Sequence, residues 1–255
     1  DVLYRDLFCI TGPASQYFNA LLFRLFGVSL TTLIFANLAI LGVIVALVYA
    51  LFSRVAGGLA ASVLCATMLA VFGFAQYSGT GNYNYVCPYR HEMTHGICLC
   101  LAQMYCLVCF ATKRHGRWLL LAGLCSGLLA AMKPEMFLAS FAVCATAALL
   151  LVAHHKPALA RAVRGMLLFQ GGAVVPIAVC VILLSMQVPV DEAMLGMLRP
   201  WKLAASPELT LEYPFFAQLM GVDAPLDGVT RVGLASLVLM LGTAVVLALD
   251  AALGR

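Results

Sequence analysis

The stretch Tyr89-Arg90-His91-Glu92-Met93-Thr94-His95 brings a phenol ring, a guanidinium, two imidazoles and a carboxylate into one short piece of chain. A guanidinium presents paired planar donors, so Arg90 can fork onto phosphate oxygens. Tyr89 and the preceding Asn82-Tyr83-Asn84-Tyr85 add rings that stack on sugar faces and amides that bond hydroxyls. The mixture suits a sugar or phosphate headgroup, and it also suits an aromatic belt at the headgroup level of a membrane. Within it His91-Glu92-Met93-Thr94-His95 spells H-E-x-x-H. On a helix, imidazoles at this spacing share a face and can meet one zinc ion, with the glutamate as base.

Two further groups carry charge into apolar surroundings. Asp6 follows Arg5 and precedes Gly12-Pro13 and an amphipathic stretch. It is either a catalytic or metal-binding carboxylate at a membrane surface or a solvated loop acid paired with Arg5. Lys133 and Glu135 flank Pro134 between two apolar runs. Charges in such a place are costly in lipid and mark a functional site by default, with Lys133 suited to a lipid-linked phosphate. The alternative is a pair that neutralises itself at a tight turn. In the long segment near the C-terminus, Arg199-Pro200-Trp201-Lys202 and Tyr213-Pro214-Phe215-Phe216 read as an interfacial cap or a plain surface loop.

The elements that position these groups are membrane spans. The 255 residues are 64% hydrophobic and 10% charged, against about half and about a quarter in ordinary soluble domains. No soluble fold of this size hides so much apolar surface, so lipid is the solvent. The net charge of +4 is spread along the chain and forms no block of the kind that binds nucleic acid. Runs near the length of about 20 residues that a spanning helix needs cover 31–53, 58–77, 96–112, 118–132, 136–153, 166–186 and 232–252. Proline denies an amide and crowds the preceding turn, so 118–153 divides at Lys133-Pro134-Glu135, with one long kinked helix as the alternative. Residues 14–27, with Arg24 inside an apolar stretch, suit a helix lying in the interface.

Arg54, then Lys113, Arg114 and Arg117, then Lys156, Arg161 and Arg164 occupy short connections without acids, which the positive-inside rule assigns to the cytoplasm. That assignment leaves 1–30, 78–95, 133–135 and 187–231 outside, together with ten of the 11 acids, all but Asp250. The expected architecture is all-α: a single membrane domain over 1–255, with 1–30 extracytoplasmic or interfacial, six spans in 31–186, an extracytoplasmic loop at 187–231 and a last span at 232–252. A chain that opens at Asp1 in a polar stretch and closes at Arg255 after an apolar run reads as a fragment of a longer protein. Of ten cysteines, eight lie in apolar runs and pack as small hydrophobes, including Cys98, Cys100, Cys106 and Cys109. Cys9 and Cys87 fall in polar segments and can form a disulfide.

"YRDLF…GP…YFNALLFRLFG", "GNYNYVCPYRHEMTHG" and "GLLAAMKPEMFLA", in that order and topology, resemble the membrane glycosyltransferases of the GT-C fold. These are the relatives of dolichyl-phosphate-mannose protein mannosyltransferases and of the aminoarabinose transferase of lipid A. The likeness covers most of residues 1–153. It implies an inverting transfer of a sugar from a polyprenyl-phosphate carrier to an acceptor hydroxyl of a glycolipid, polysaccharide or protein. The reaction would take place on the extracytoplasmic face, as at a bacterial inner membrane facing the periplasm. Of the family's two acidic positions in the first external loop, Asp6 matches the second, and the first falls upstream of Asp1. The resemblance makes Asp6 the catalytic residue. Donor phosphate and sugar fall to Arg5, Tyr89, Arg90, His91, His95, Lys133 and Glu135. No metal ligand is assigned, and a divalent cation (Mg or Mn) is compatible with the chemistry. Membrane lipid is the surrounding partner.

Two rivals make different demands. Intramembrane site-2 proteases pair H-E-x-x-H with a downstream Leu-Asp-Gly ligand, and Leu226-Asp227-Gly228 is present, although beside Asp223 and Pro225 in a loop-like stretch. A transporter or flippase requires ionisable groups near the middle of the spans, where this chain has almost none.

Overall fold

The computed structural model describes residues 3–7, 9–74, 84–155, 158–206 and 224–252. Asn82, Tyr83 and Tyr213–Phe216 lie outside the described residues. Among those described, the regular elements are helices, with one isolated bridge between Leu3 and Leu7. In order they are α1 (Pro13–Phe26), α2 (Leu30–Met68, continued by a π-helical turn at Leu69–Gly73), and α3 (His91–Lys113, preceded by a 3-10 turn at Pro88–Arg90). After them come α4 (Arg117–Ala130), α5 (Pro134–His155), α6 (Leu159–Ser185), α7 (Val190–Ala204) and α8 (Pro225–Ala252).

α2 starts where the Ser29 hydroxyl accepts from the Thr32 amide, a side-chain N-cap that satisfies an otherwise unpaired donor. It then folds back on itself. Gly57 takes φ 80°, ψ 168°, open to glycine because it has no Cβ. Beyond it Cys65 Sγ comes within 3.6 Å of the Val45 carbonyl and Gly73 rests on Leu41. The two limbs are thus antiparallel and correspond to the expected runs 31–53 and 58–77 as far as the described residues go. Leu30–Gly73, Pro88–Lys113, Pro134–His154 and Leu159–Ser185 are long and apolar enough to cross a membrane, and Arg117–Ala130 is a shorter apolar helix.

The break at Lys133-Pro134-Glu135 separates two helices rather than bending one. α4 stops at Ala130 and α5 begins on Pro134. α3 runs parallel to α5, with Cys100 Sγ 3.8 Å from the Met136 carbonyl and Gln103 Nε2 2.9 Å from Cys144 Sγ. α4 runs parallel to α6, with Gly123 seated on Phe169 and Gly127 on Ala173. α3 and α4 are joined by the short turn 114–116 and run antiparallel, with Tyr105 meeting Trp118 near that turn. α8 packs against α2.

This path gathers the N-terminus of α2, residues 84–90, the start of α3, the α4–α5 turn, the end of α6, and α7 at one end of the bundle. Glu92, Glu135, Asp191 and Glu192 belong to these segments. The Gly57 bend, the α3–α4 turn and the start of α6 lie at the other end, with Arg54, Lys113, Arg114, Arg117, Arg161 and Arg164. Glu92, Glu135, Asp191 and Glu192 thus share one end of the bundle with Arg5, Arg90, Lys133 and Arg199, while the six bases just named share the other. One segment expected as loop is ordered: Val190–Ala204 of the 187–231 stretch is helical, with Ala193, Gly196, Met197 and Pro200 buried.

The tightest contact in the bundle is between α4 and α6. A Cβ at Gly123 would overlap the Phe169 carbonyl, one at Gly127 the Ala173 carbonyl, and one at Gly172 the Leu120 carbonyl. Small residues let helix backbones approach closely where the hydrophobic effect offers no drive between spans. Backbone cannot yield as a flexible side chain does. Gly127→Leu is therefore expected to lose at least about 1–3 kcal/mol. A lower thermal midpoint in detergent would show it, whereas Gly171→Ala, which meets nothing within 4 Å, should leave the midpoint unchanged.

Candidate active site

The site is built where the N-terminal segment docks onto the α4–α5 turn. The Gly12 amide donates to the Met132 carbonyl at 2.7 Å, and the Ala14 amide to the Ala131 carbonyl at 3.1 Å. A side chain at Gly12 would strike the Ala131 carbonyl, so the close approach requires glycine. Pro13 then opens α1 at a position where its missing N–H costs nothing.

Docking in this way lays a polar stripe of α1 and its lead-in against the first turn of α3. Ser15 Oγ and His95 Nδ1 lie 2.7 Å apart, both groups buried. Thr11 Oγ1 and Gln16 Nε2 each donate to Glu92 Oε1 at 3.4 Å. His91 Nδ1 is 3.2 Å from the Pro88 carbonyl. A carbonyl only accepts, so that nitrogen carries the proton. His91 Nε2 then faces Glu92 Oε1 at 3.5 Å, close enough for charge attraction on protonation but outside hydrogen-bond geometry. The two imidazoles are 5.6 Å apart, and Phe18 meets His95 edge-on at 4.9 Å.

The H-E-x-x-H spacing does bring His91 and His95 onto one helix face. Among the described residues, however, no group of three His, Cys, Asp or Glu side chains is placed to hold a metal ion. A catalytic zinc site uses three protein ligands. Glu92 is engaged by Thr11 and Gln16, and Asp227 is exposed in the first turn of α8. The motif is a hydrogen-bonded joint between α1 and α3.

A second cluster surrounds the N-terminal turn. Arg5 grips Asp6 in a two-point contact, Nε to Oδ1 at 2.8 Å and the terminal nitrogen to Oδ2 at 3.1 Å. Tyr4, at the left-handed φ of 69°, donates from its hydroxyl to the Thr11 carbonyl at 2.9 Å. Its ring lies against Gly196 of α7 and under the Arg199 guanidinium, 5.9 Å away. Burial pushes the Tyr4 phenol well above its ordinary pKa, so it remains a hydrogen-bond donor. Tyr4, Arg5, Val188, Glu192, Leu195, Gly196 and Arg199 line a cleft of about 150 Å³, which Arg5 joins to its partner Asp6. α7 is anchored from the other side, where Trp201 Nε1 donates to the Ala130 carbonyl at 3.3 Å and its ring meets Phe137.

The remaining sequence-derived candidates separate. Tyr89 is 74% exposed. Arg90 is half-buried at the head of α3. Lys133 is half-buried at the α4–α5 turn and makes no ion pair among the described residues. Glu135 is exposed in the first turn of α5, where the helix dipole favours an acid. Lys133 and Glu135 therefore do not neutralise each other. His95 is only 6% exposed, with its Nδ1 on the Ser15 hydroxyl. Cys9 and Cys87 are free thiols, so the suggested disulfide is absent. Cys9 Sγ instead sits 3.3 Å from Thr11 Oγ1, and Cys87 is buried under Asn37, whose amide donates to the Cys87 carbonyl at 3.0 Å. Thr11, Ser15, Gln16 and Glu192 were not anticipated, whereas Arg199 belongs to the stretch read as an interfacial cap or a plain surface loop. The four-residue spacing of Thr11, Ser15 and Asn19 was the available signal for the first group, and the helical period of Ala193, Met197 and Trp201 for the second.

Neither the curated proteins nor the solved structures give a significant match to the chain. The sequence model of the dolichyl-phosphate-mannose-protein mannosyltransferases matches residues 11–185. That stretch runs from the docked N-terminal turn through α6 and contains Glu92, both histidines and Lys133, while Arg5 and Asp6 lie just ahead of it. A helical apolar bundle with Glu92, Glu135, Asp191, Glu192 and hydrogen-bonded polar side chains at one end, matched over residues 11–185, belongs to the dolichyl-phosphate-mannose-protein mannosyltransferase family and is a membrane glycosyltransferase.

Proposed function

We propose that this chain transfers a sugar from a polyprenyl-phosphate donor to an acceptor hydroxyl at the extracytoplasmic face of a membrane, as in a bacterial inner membrane facing the periplasm. The observation that carries the reading is that the carboxylate Asp6 and the cations Arg90 and Lys133 all belong to the same end of an apolar bundle. A lipid-linked donor needs that combination, with an apolar flank for its chain and fixed positive charge at headgroup level for its phosphate.

In this mechanism the acceptor oxygen attacks the anomeric carbon and the bond from that carbon to the phosphate oxygen breaks, with inversion. The acceptor proton passes to Asp6, and polyprenyl phosphate departs with the bonding electron pair. Arg5 holds the Asp6 carboxylate by both oxygens at rest and so fixes its direction. Arg90 and Lys133 face the charge that grows on the leaving phosphate, which is where preorganised donors accelerate a reaction most. His95 and Ser15 act as positioning groups that hold the head of α3, and with it Arg90. The described residues offer no set of three ligands for a divalent cation, so no step is assigned to one.

The reading is tested with the purified full-length protein in proteoliposomes. Radiolabelled sugar supplied on polyprenyl phosphate should move to an acceptor hydroxyl with one polyprenyl phosphate released per transfer. Transfer from nucleotide sugars alone, with no release from any polyprenyl-phosphate hexose or pentose, would overturn it.

A further inference from the structure

We propose that the end of the bundle opposite the acidic end carries a dedicated site for the headgroup of an anionic phospholipid, built around Trp118. The residues come from three helices. Arg54, just before the Gly57 bend, reaches the Tyr105 hydroxyl at 3.5 Å and lies 5.1 Å above the Tyr105 ring. Tyr105 in turn meets Trp118 edge-on, 6.4 Å between centroids. Two more cations converge on the same indole: Lys113 Nζ at 5.5 Å and Arg117 Cζ at 5.3 Å from its centre. Arg114, next to them, lies over Phe110.

Charge makes this cluster more than a solvated rim. Arg54, Lys113, Arg114 and Arg117 are exposed, and none forms an ion pair among the described residues. Between Leu7 and Pro189 the chain has only the acids Glu92 and Glu135, and both are at the other end of the bundle. Like charges held this close repel one another, and ring faces offset only part of that cost. Among the described residues no carboxylate is paired with these cations, which leaves them open to a counterion from outside; Asp250 is the one further acid that the sequence assigns to this side. Trp118 Nε1 adds a second observation: it is buried and has no hydrogen-bond partner among the described residues, in the same indole whose face Lys113 and Arg117 cover.

The surroundings identify the class of ligand. Val55, Leu120, Leu121, Leu159 and Met166 are exposed nearby on α2, α4 and α6, forming an apolar flank that would be wasted on a free anion. A phosphate joined to acyl chains satisfies both halves, with its charge among Arg54, Lys113 and Arg117 and its chains along that flank. Basic pockets between spanning helices bind lipid headgroups on this principle. The site is independent of the transferase reading and lies away from Asp6 and Lys133.

Native mass spectrometry of the full chain released from nanodiscs tests the inference. The wild type should retain phosphatidylglycerol and lose phosphatidylcholine under the same conditions. The combined variant Arg54→Gln, Lys113→Gln, Arg117→Gln should bind phosphatidylglycerol more than about tenfold more weakly, while the charge-preserving pair Lys113→Arg, Arg117→Lys should keep it. Lys113→Gln alone alters one exposed side chain and should weaken retention several-fold, so it gives the reading if the combined variant does not fold. Equal retention of the two lipids would overturn the proposal. So would undiminished phosphatidylglycerol binding in the Gln variants, or inorganic phosphate binding as tightly as the lipid.

Discussion

Asp6→Asn should lower sugar transfer by about 10²–10⁴-fold, the range expected when a general base is removed, while leaving the protein inserted and folded. The substitution keeps the shape of the side chain and one carbonyl oxygen for Arg5, but it removes the group that accepts the acceptor's proton. Because Asp6 and Arg5 are exposed and their contact is local, the bundle does not depend on it. An exposed ion pair of this kind contributes little to stability, because water screens it. The assay is initial-rate transfer in proteoliposomes at saturating donor, with the thermal midpoint measured on the same preparation. A loss confined to kcat places Asp6 in the chemical step. Full activity would remove it from the mechanism and move the base to another acid at that end, with Glu192 across the cleft as the first to examine.

The large features of this fold were legible because they follow from local composition and short-range chemistry. A run of apolar residues long enough to cross a bilayer identifies itself. Pro134 marks a break because its ring and missing amide act on its own neighbours, and α4 and α5 do part there. The charge asymmetry between the two ends was readable from which connections hold arginine and lysine. What the sequence did not disclose is pairing over distance. Ser15 and His95 are 80 positions apart, and Thr11 and Glu92 are 81. Helical period tells which face a residue occupies but not which helix it will meet, so a polar stripe on α1 and an H-E-x-x-H on α3 look like separate features until the chain is folded. The zinc reading arose in that gap. Spacing within a helix fixes two imidazoles on one face, whereas the third ligand depends on tertiary contacts, and here the neighbours of His95 and Glu92 are a serine, a threonine and a glutamine. α7 was missed for a related reason. Its apolar face is short, interrupted by Pro200, and covered only because Tyr4 and the α4–α5 turn lie against it.

Lys133→Met should cost transfer about 10²–10³-fold, comparable to the loss of one preorganised donor to transition-state charge, and should cost the fold little. Lys133 is a half-buried cation that makes no ion pair among the described residues. Its backbone is held on several sides: the Gly12 amide binds the Met132 carbonyl, the Ala14 amide binds the Ala131 carbonyl, and Trp201 closes on the Ala130 carbonyl. The substitution breaks no ion pair, so it should leave the thermal midpoint unchanged. A residue of purely structural value would behave in the opposite way. The kinetic pattern separates the two roles that remain. If Lys133 binds the donor phosphate equally in ground and transition states, KM rises and kcat holds; if it stabilises charge as the phosphate leaves, kcat falls. The fixed position of the turn favours the second, because a rigid cation can be aligned to where charge develops instead of following where it begins. Lys133→Arg keeps the charge but changes the reach, so it should recover part of the loss. Recovery equal to wild type would reduce the role of Lys133 to bulk electrostatic attraction for the donor.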